Sequence, residues 1–418
     1  MTLNLLGMVS ETGASYRSAG SCLTATRMAV DDVNKCDTVL KDYDLVYKWI
    51  DSKCDPGTAL DRMFRHLYHD PPYIMLLGAA CSVATEATAQ VSYFWNLTQV
   101  SYESSSPVLS NRARFPRFFR LYPPDQKLNI ARIALMKYFN WTMVATINEA
   151  REYFSAVIGD FVQRLEGTGT TVISQEIFVN EPYSRVQNLK RRDARIIITA
   201  MYEDMARETL CAAFKIGLYG PHIVWMFTGW FSKTFWKEDL DRLDCNEEEM
   251  ATAVEGAILT GAVFMNPVEE RGAANITAKE FEILYKNNSL YDKKWASTDT
   301  IAPFCYDHIW VSSMALDCAD KQLRENGYNK TLDGFTYSDV VIGDIVFNCM
   351  SNISFTGVSG RLSFRNSSDP DRSVDIERIQ DGDRIKIALY RQDVADKHFE
   401  WVPGALRWTS KSICTSNY

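Results

Sequence analysis

Three consecutive serines, Ser104, Ser105 and Ser106, follow the short run TQVSYE. After them come Pro107 and an aromatic-basic stretch, NRARFPRFFRLYPP, through which neither helical nor strand periodicity runs. Other hydroxyls and aromatics stand at comparable points: Ser82 directly after YIMLLGAAC, Tyr202 after ARIIITAM, and Trp230 closing HIVWMFTGW. Each apolar run reads as a buried strand, so these side chains lie just past strand carboxyl ends, where open parallel sheets meet their ligands. Singly, each has a plainer reading, since a strand-end serine commonly caps a helix and a strand-end aromatic commonly packs. Together they describe a surface that binds a small molecule.

No reaction centre accompanies them. The chain has no G-x-x-x-x-G-K-[ST], no G-x-G-x-x-G after a strand and no G-x-S-x-G, and GVSG (357–360) is too short for a nucleophile elbow. His66 and His69 share a helix face with Asp70 close by, but no second ligand pair joins them, so no metal is expected. The paired carboxylates of VDDVN and NEEEM read as solvated helix faces. Binding without a cofactor, rather than catalysis, is the expectation.

The elements that must position these residues alternate steadily. LNLLGMV, YDLVYKWID, YIMLLGA and TQVSYES read as strands. Between them lie helices, among them GSCLTATRMAVDDVN, with Ala25, Met28, Ala29 and Val33 on one face, and PGTALDRMFRHLY, which opens on Pro56. After the serine-rich loop the alternation restarts with WTMVATIN, TTVISQEIF, ARIIITAMY, HIVWMFTGW and GAILTGAVF. Helical YDHIWVSSMALDCADKQL and YSDVVIGDIVFNCMSN follow, then GRLSF, VDIERIQ and RIKIALYR, short strands with a turn at DGD. The pattern predicts an α/β protein of two doubly wound, mainly parallel sheets. Its 418 residues also exceed one ordinary core.

A net charge of −8 excludes a nucleic-acid partner, and the densest basic run, LKRRDAR, reads as a solvated helix end. No run of eighteen apolar residues crosses a membrane. MTLNLLGMV lacks the features of a signal peptide, so we expect a trimmed chain or one part of a longer protein. Seven N-x-Ser/Thr sequons occur, at Asn96, Asn140, Asn275, Asn287, Asn329, Asn352 and Asn366, beside ten cysteines without metal-ligand spacing. An even cysteine count in a sequon-rich chain predicts disulfides and an extracellular location, on the outer face of the plasma membrane or as a secreted fragment. Sequence alone does not pair them.

Longer stretches carry a resemblance. DSKCDPG, SYESSSPVLSNRARFP, FFR, LKRRDARII, GWF and EEMATAVEG are similar to the ligand-binding ectodomain of metabotropic GABA (GABA-B) receptors, which are class C G-protein-coupled receptors. The likeness runs through almost the whole chain and is closer to the agonist-binding subunit than to its partner subunit. It implies the bilobed "Venus flytrap" of type I periplasmic binding proteins, with lobe 1 formed by 1–122 and 266–355 and lobe 2 by 123–265 and 356–418. The resemblance pairs Cys54 with Cys81 and Cys211 with Cys245, and leaves the other six cysteines unassigned.

It further implies a ligand carboxylate held by Ser82, Ser106 and Tyr202, with Trp230 covering the ligand. The amine half departs from the family pattern: Tyr16 stands for a tryptophan, Tyr122 for a histidine, and Ile301 for the glutamate that pairs with the ammonium. Either Asp299 takes the glutamate's place or Tyr16, Tyr122, Tyr202 and Trp230 form an aromatic cage for a cation. GABA or a close analogue, another small zwitterion or organic acid, and no ligand at all are the three readings. Family pairing through lobe 1 would place Met63, Phe64 and Tyr68 of DRMFRHLY against a second subunit's ectodomain, the alternative being that they pack inward. A G protein would be reached only through a membrane domain outside this sequence.

Overall fold

The computed structural model describes residues 1–13, 19–364, 369–370, 372–392 and 396–407. The chain divides into two compact units, Met1–Pro123 with Val263–Pro370, and Pro124–Ala262 with Asp371–Tyr418.

The first unit opens with β1 (Thr2–Val9), α1 (Ala19–Asn34), β2 (Asp44–Asp51), α2 (Pro56–His69), β3 (Tyr73–Leu77), α3 (Ser82–Ser92), β4 (Thr98–Ser101) and β5 (Phe118–Arg120). All five strands are parallel, in the order β2-β1-β3-β4-β5. Every residue of β3 is buried, as suits a strand covered on both faces. In α1 the expected stripe of Ala25, Met28, Ala29 and Val33 is buried, and α2 begins at Pro56 behind an Asp55 cap that accepts from Thr58 N. Gly78, just past β3, has φ +97°, and a Cβ there would sit 2.2 Å from Met8 O, so glycine alone allows that exit. β5 corrects the sequence reading of this stretch. It pairs in parallel with β4 from inside the segment that showed no periodicity, because three residues are too few to display a period.

The second unit begins with α4 (Asp125–Tyr138), β6 (Met143–Glu149), α5 (Glu152–Leu165), β7 (Thr171–Phe178), α6 (Tyr183–Arg191), β8 (Ile196–Ala200), α7 (Glu203–Ile216), β9 (Val224–Thr228), α8 (Glu247–Val254) and β10 (Ile258–Ala262). The chain then returns to the first unit for α9 (Ala278–Lys286), α10 (Ala302–Glu325), α11 (Val340–Ser351) and the antiparallel hairpin β11 (Ser354–Gly357) and β12 (Gly360–Ser363). It ends in the second unit with β13 (Val374–Gln380), β14 (Asp383–Arg391) and β15 (His398–Trp401), all antiparallel. The second sheet runs β15-β14-β13-β10-β9-β8-β6-β7, with β10 to β7 parallel. The DGD turn joins β13 to β14 through Asp381 (φ 55°) and Gly382 (φ 79°), the left-handed pair of a two-residue hairpin.

The last passage between units falls after Pro370, later than the expected boundary after residue 355. Buried Asp307 of α10 is the cause: its Oδ1 accepts from Val358 N (3.0 Å) and its Oδ2 from Ser359 N (2.7 Å), which fastens the β11–β12 turn to the first unit. Several elements lay outside the sequence reading, among them α4, β11, the four-residue β15, and α9, although Thr277 and Glu280 form its capping box.

Among the described residues four disulfides lock the units. Cys54–Cys81 and Cys211–Cys245 are present, together with Cys22–Cys305 between α1 and α10 and Cys318–Cys349 between α10 and α11. Cys36 is a free thiol, and Cys414 lies outside the described residues. No described helix is long and apolar enough to cross a membrane.

Candidate functional site

In the first unit the serine cluster is a built structure. Ser104, fully buried, fixes the loop: its Oγ donates to Ala79 O (2.9 Å), receives a bond from Ser101 Oγ (2.9 Å) and lies 2.7 Å from Thr85 Oγ1. Ser82 opens α3, and its Oγ accepts from the backbone N–H groups of Ser105 (3.1 Å) and Ser106 (3.0 Å). Ser106 Oγ in turn accepts from Val108 N at 3.3 Å, capping the short helical turn Pro107–Ser110. In both hydroxyls these bonds use the oxygen as acceptor, which leaves the proton to donate.

Behind the loop lies Arg120, the last residue of β5, with 0% exposure. Its Nη1 donates to Ser106 O (2.7 Å) and Ser104 O (3.1 Å), its Nη2 to Ser110 Oγ (2.7 Å) and its Nε to Asp369 Oδ1 (2.7 Å). One guanidinium thus sets the backbone on both sides of Ser105 and ties it to the residues just before the last passage between units.

The amine-half candidates are placed differently. Tyr122 is buried, its ring 5.9 Å from Phe264 and 5.6 Å from Phe304. Ile301 is 1% exposed at the start of α10. Asp299 is engaged by Tyr285 OH (2.9 Å), Tyr291 OH (2.7 Å) and Ser21 Oγ (3.3 Å). Swinging it elsewhere would break all three bonds, and burial together with the Asp299 charge holds the Tyr285 phenol far above its ordinary range. Tyr16 lies outside the described residues.

In the second unit Tyr202, just after β8, and Trp230, just after β9, meet edge to face with ring centroids 5.9 Å apart. Phe154 lies 5.0 Å from Tyr202, and the Arg151 guanidinium stands 5.6 Å from its ring centre. Trp230 Nε1 donates to Asp125 Oδ2 (3.2 Å), which also accepts from Tyr153 OH.

Glu203, next to Tyr202, holds the loop beyond Trp230 by accepting from Ser232 N (2.5 Å). Burial pushes its carboxyl up to about 7, against the Ser232 N–H and Arg207, which act the other way. An acid raised on folding contributes stability that is fully present below its ordinary range and is lost as pH rises through the raised value. The unfolding free energy of the wild type is therefore expected to fall between pH 5 and 8 relative to Glu203→Gln, by up to roughly 3 kcal/mol. Denaturant titrations at both pH values check this, and parallel profiles for the two proteins would refute it.

On the outer face of α2 the sequence reading needs correcting. Met63 has 0% exposure and belongs to the core, because it falls on the same inward stripe as Ala59 and Leu67. Phe64 is half-buried against Trp95 at 5.5 Å, and Tyr68 is 76% exposed. Asn140, Asn275, Asn287, Asn329 and Asn352 are exposed. Asn96 is half-buried and donates to Tyr337 O (3.0 Å), while Asn366 lies outside the described residues. His66 Nδ1 pairs with Asp70 Oδ2 at 2.6 Å, and Asp70 also receives Lys48 and Tyr73. Among the described residues no group of three or more His, Cys, Asp or Glu is placed to hold a metal.

Sequence reasoning missed Asp125, Tyr153, Glu203, Arg120 and Asp369. An aspartate directly after two prolines reads as a helix start, and nothing local links Arg120 to a residue 249 positions away.

Residues 21–382 match the receptor family ligand binding region. The chain is 35% identical over 405 residues to the gamma-aminobutyric acid type B receptor subunit 1 of Mus musculus, covering 96% of this chain and 42% of the relative. Subunit 1 of Caenorhabditis elegans is 33% identical over 94% of this chain and 43% of its own length. Subunit 2 of Homo sapiens is 28% identical over 90% and 39%. The chain thus spans about two fifths of the length of these relatives, which are receptors rather than enzymes. With its family match and its two α/β units, the chain belongs to the receptor family ligand-binding region, as a GABA-B-like ectodomain of the class C G-protein-coupled receptors.

Proposed function

We propose that this chain senses GABA or a similar small amino acid outside the cell, as the binding domain of a GABA-B-type receptor. The observation that carries the reading is the pair of buried hydroxyls, Ser82 and Ser106, engaged as acceptors and therefore left to donate. A carboxylate gains about 1.5–3 kcal/mol from each such charge-assisted bond. Tyr202 and Trp230 supply the aromatic cover from the second unit.

In this reading the two units act as lobes. Ligand first meets the serines and then favours the closed form through its added contacts with the second lobe. Phe64 and Tyr68 face a second receptor subunit, and a membrane domain outside these residues carries the signal to a G protein. The sequons and disulfides support an extracellular location.

Calorimetry of GABA on the purified chain tests this. Ser106→Ala is expected to weaken binding about 10- to 100-fold. No heat at millimolar GABA would sink the GABA-sensor reading. A second reading would then hold, a non-binding partner-type ectodomain or a sensor of another small zwitterion or organic acid, which apolar Ile301 and aromatic-packed Tyr122 favour.

A further inference from the structure

A series of aromatic rings lies at one edge of the second unit. Tyr138, the last residue of α4, is 57% exposed and stands 4.7 Å from Trp401 and 6.0 Å from Phe399 of the edge strand β15. Phe139 continues the series, 5.9 Å from Trp401 and 4.9 Å from Trp141. Trp141 is buried but Phe139, Phe399 and Trp401 are only half-buried, so the rings share an open face.

Asn140 stands within this series. α4 ends in a Schellman turn, with Trp141 N donating to Met136 O (2.8 Å), Asn140 N donating to Lys137 O (3.3 Å), and Asn140 itself left-handed (φ 54°). Such a turn accepts asparagine, although glycine suits it better. Glycine could not carry a sugar: Asn140, Trp141 and Thr142 form a sequon, and both Asn140 and Thr142 are exposed. The ring of N-acetylglucosamine holds its polar groups around its rim and presents C–H bonds on its faces. Such polarised C–H groups are drawn to the negative face of an aromatic ring. Tethering the sugar two residues from Tyr138 gives that weak contact a high effective concentration.

Resting on the extracellular location proposed above, we propose that Asn140 carries an N-linked glycan whose first sugar packs on Tyr138 and the rings behind it. The sugar comes from a glycosyl diphosphate donor. Asn140 Nδ2 bonds to the anomeric carbon as the carbon–oxygen bond to the diphosphate breaks, the diphosphate leaves with that electron pair, and the amide gives up one proton to a base of the transferring enzyme. The covered face is then closed to a protein partner.

The test uses the full chain secreted by glycosylating cells, in which peptide mapping is expected to find a sugar on Asn140. Denaturant unfolding then compares Asn140→Gln with its parent twice, once glycosylated and once from cells that attach no sugar, so that the backbone cost of glutamine cancels. The glycosylated pair is expected to differ by about 2- to 10-fold more in unfolding constant than the sugar-free pair. In a Tyr138→Leu background that excess is expected to vanish. Equal differences in the two pairs, or an excess that survives Tyr138→Leu, would overturn the packing. If the sugar-free chain does not fold, the cycle of Asn140→Gln with Tyr138→Leu in the glycosylated chain is read alone, and additive losses would overturn the packing. A bare Asn140 beside a modified Asn275 or Asn287 overturns this proposal and leaves the extracellular reading standing. A secreted chain without sugar at any exposed sequon overturns both.

Discussion

Arg120→Met is expected to lower the unfolding free energy by about 3–5 kcal/mol, because it removes the guanidinium that is hydrogen-bonded to a buried carboxylate. Methionine fills similar volume, so little of the loss comes from a cavity. What disappears are the bonds to Asp369, Ser110, Ser104 O and Ser106 O, in a site from which water is excluded. Burial pushes the Asp369 carboxyl up, but the charge and hydrogen bond of Arg120, with Ser110 and Arg112, bring it below its ordinary value. An acid lowered on folding contributes stability that is present above its ordinary range and is lost as pH falls through the lowered value. Denaturant unfolding at neutral and acid pH should therefore show the gap between wild type and Arg120→Met narrowing in acid. The double change Arg120→Met with Asp369→Leu should recover much of the loss, since removing both partners leaves no orphaned charge. A single-variant cost below about 1 kcal/mol would show that the pair is not the loop's anchor. Because Arg120 holds the carbonyl of Ser106, weaker ligand binding is expected to accompany the stability loss.

Removing Cys22–Cys305 by a double change to alanine is expected to cost at least as much. The bond joins residues 283 apart, and chain-entropy reasoning assigns a loop of that size about 5.5 kcal/mol. Cys54–Cys81, closing a loop of 27, is worth about 3.5 kcal/mol on the same reasoning. The larger bond also has a particular position, since α1 comes from the first segment of the first unit and α10 from the second. It therefore holds together two pieces of chain separated by the parallel core of the other unit. A double variant that unfolds at the wild-type denaturant midpoint would show that packing of α1 on α10 suffices alone.

How much of this was legible depends on the range over which each feature is encoded. Strands such as YIMLL and helices such as α1 declare themselves within a dozen residues, and so does the Asp381–Gly382 turn. β5 and β15 do not, because three or four residues borrow their conformation from the strand beside them. The hydroxyls and aromatics at strand ends could be found from periodicity and topology together. Their supports could not. Asp369 reaches Arg120, Asp307 reaches the β11–β12 turn, and Asp125 reaches Trp230 over separations that leave no local trace. Met63 was misjudged because an apolar residue beside an exposed aromatic looks the same whether the helix turns it in or out. Only the packing of α2 decides.

The split make-up of the first unit also sets an order of events during synthesis. Cys22 leaves the ribosome long before Cys305, and at about 5–20 residues per second the delay is roughly 15–60 s. In that interval Cys36, Cys54, Cys81, Cys211 and Cys245 emerge, each an available wrong partner wherever disulfides form. Cys54–Cys81 and Cys211–Cys245 span only 27 and 34 residues, so both partners of each have emerged before Cys305 and their pairing would remove four of those thiols from competition. Cys36, 14 residues from Cys22 and free in the finished fold, is the nearest rival in sequence.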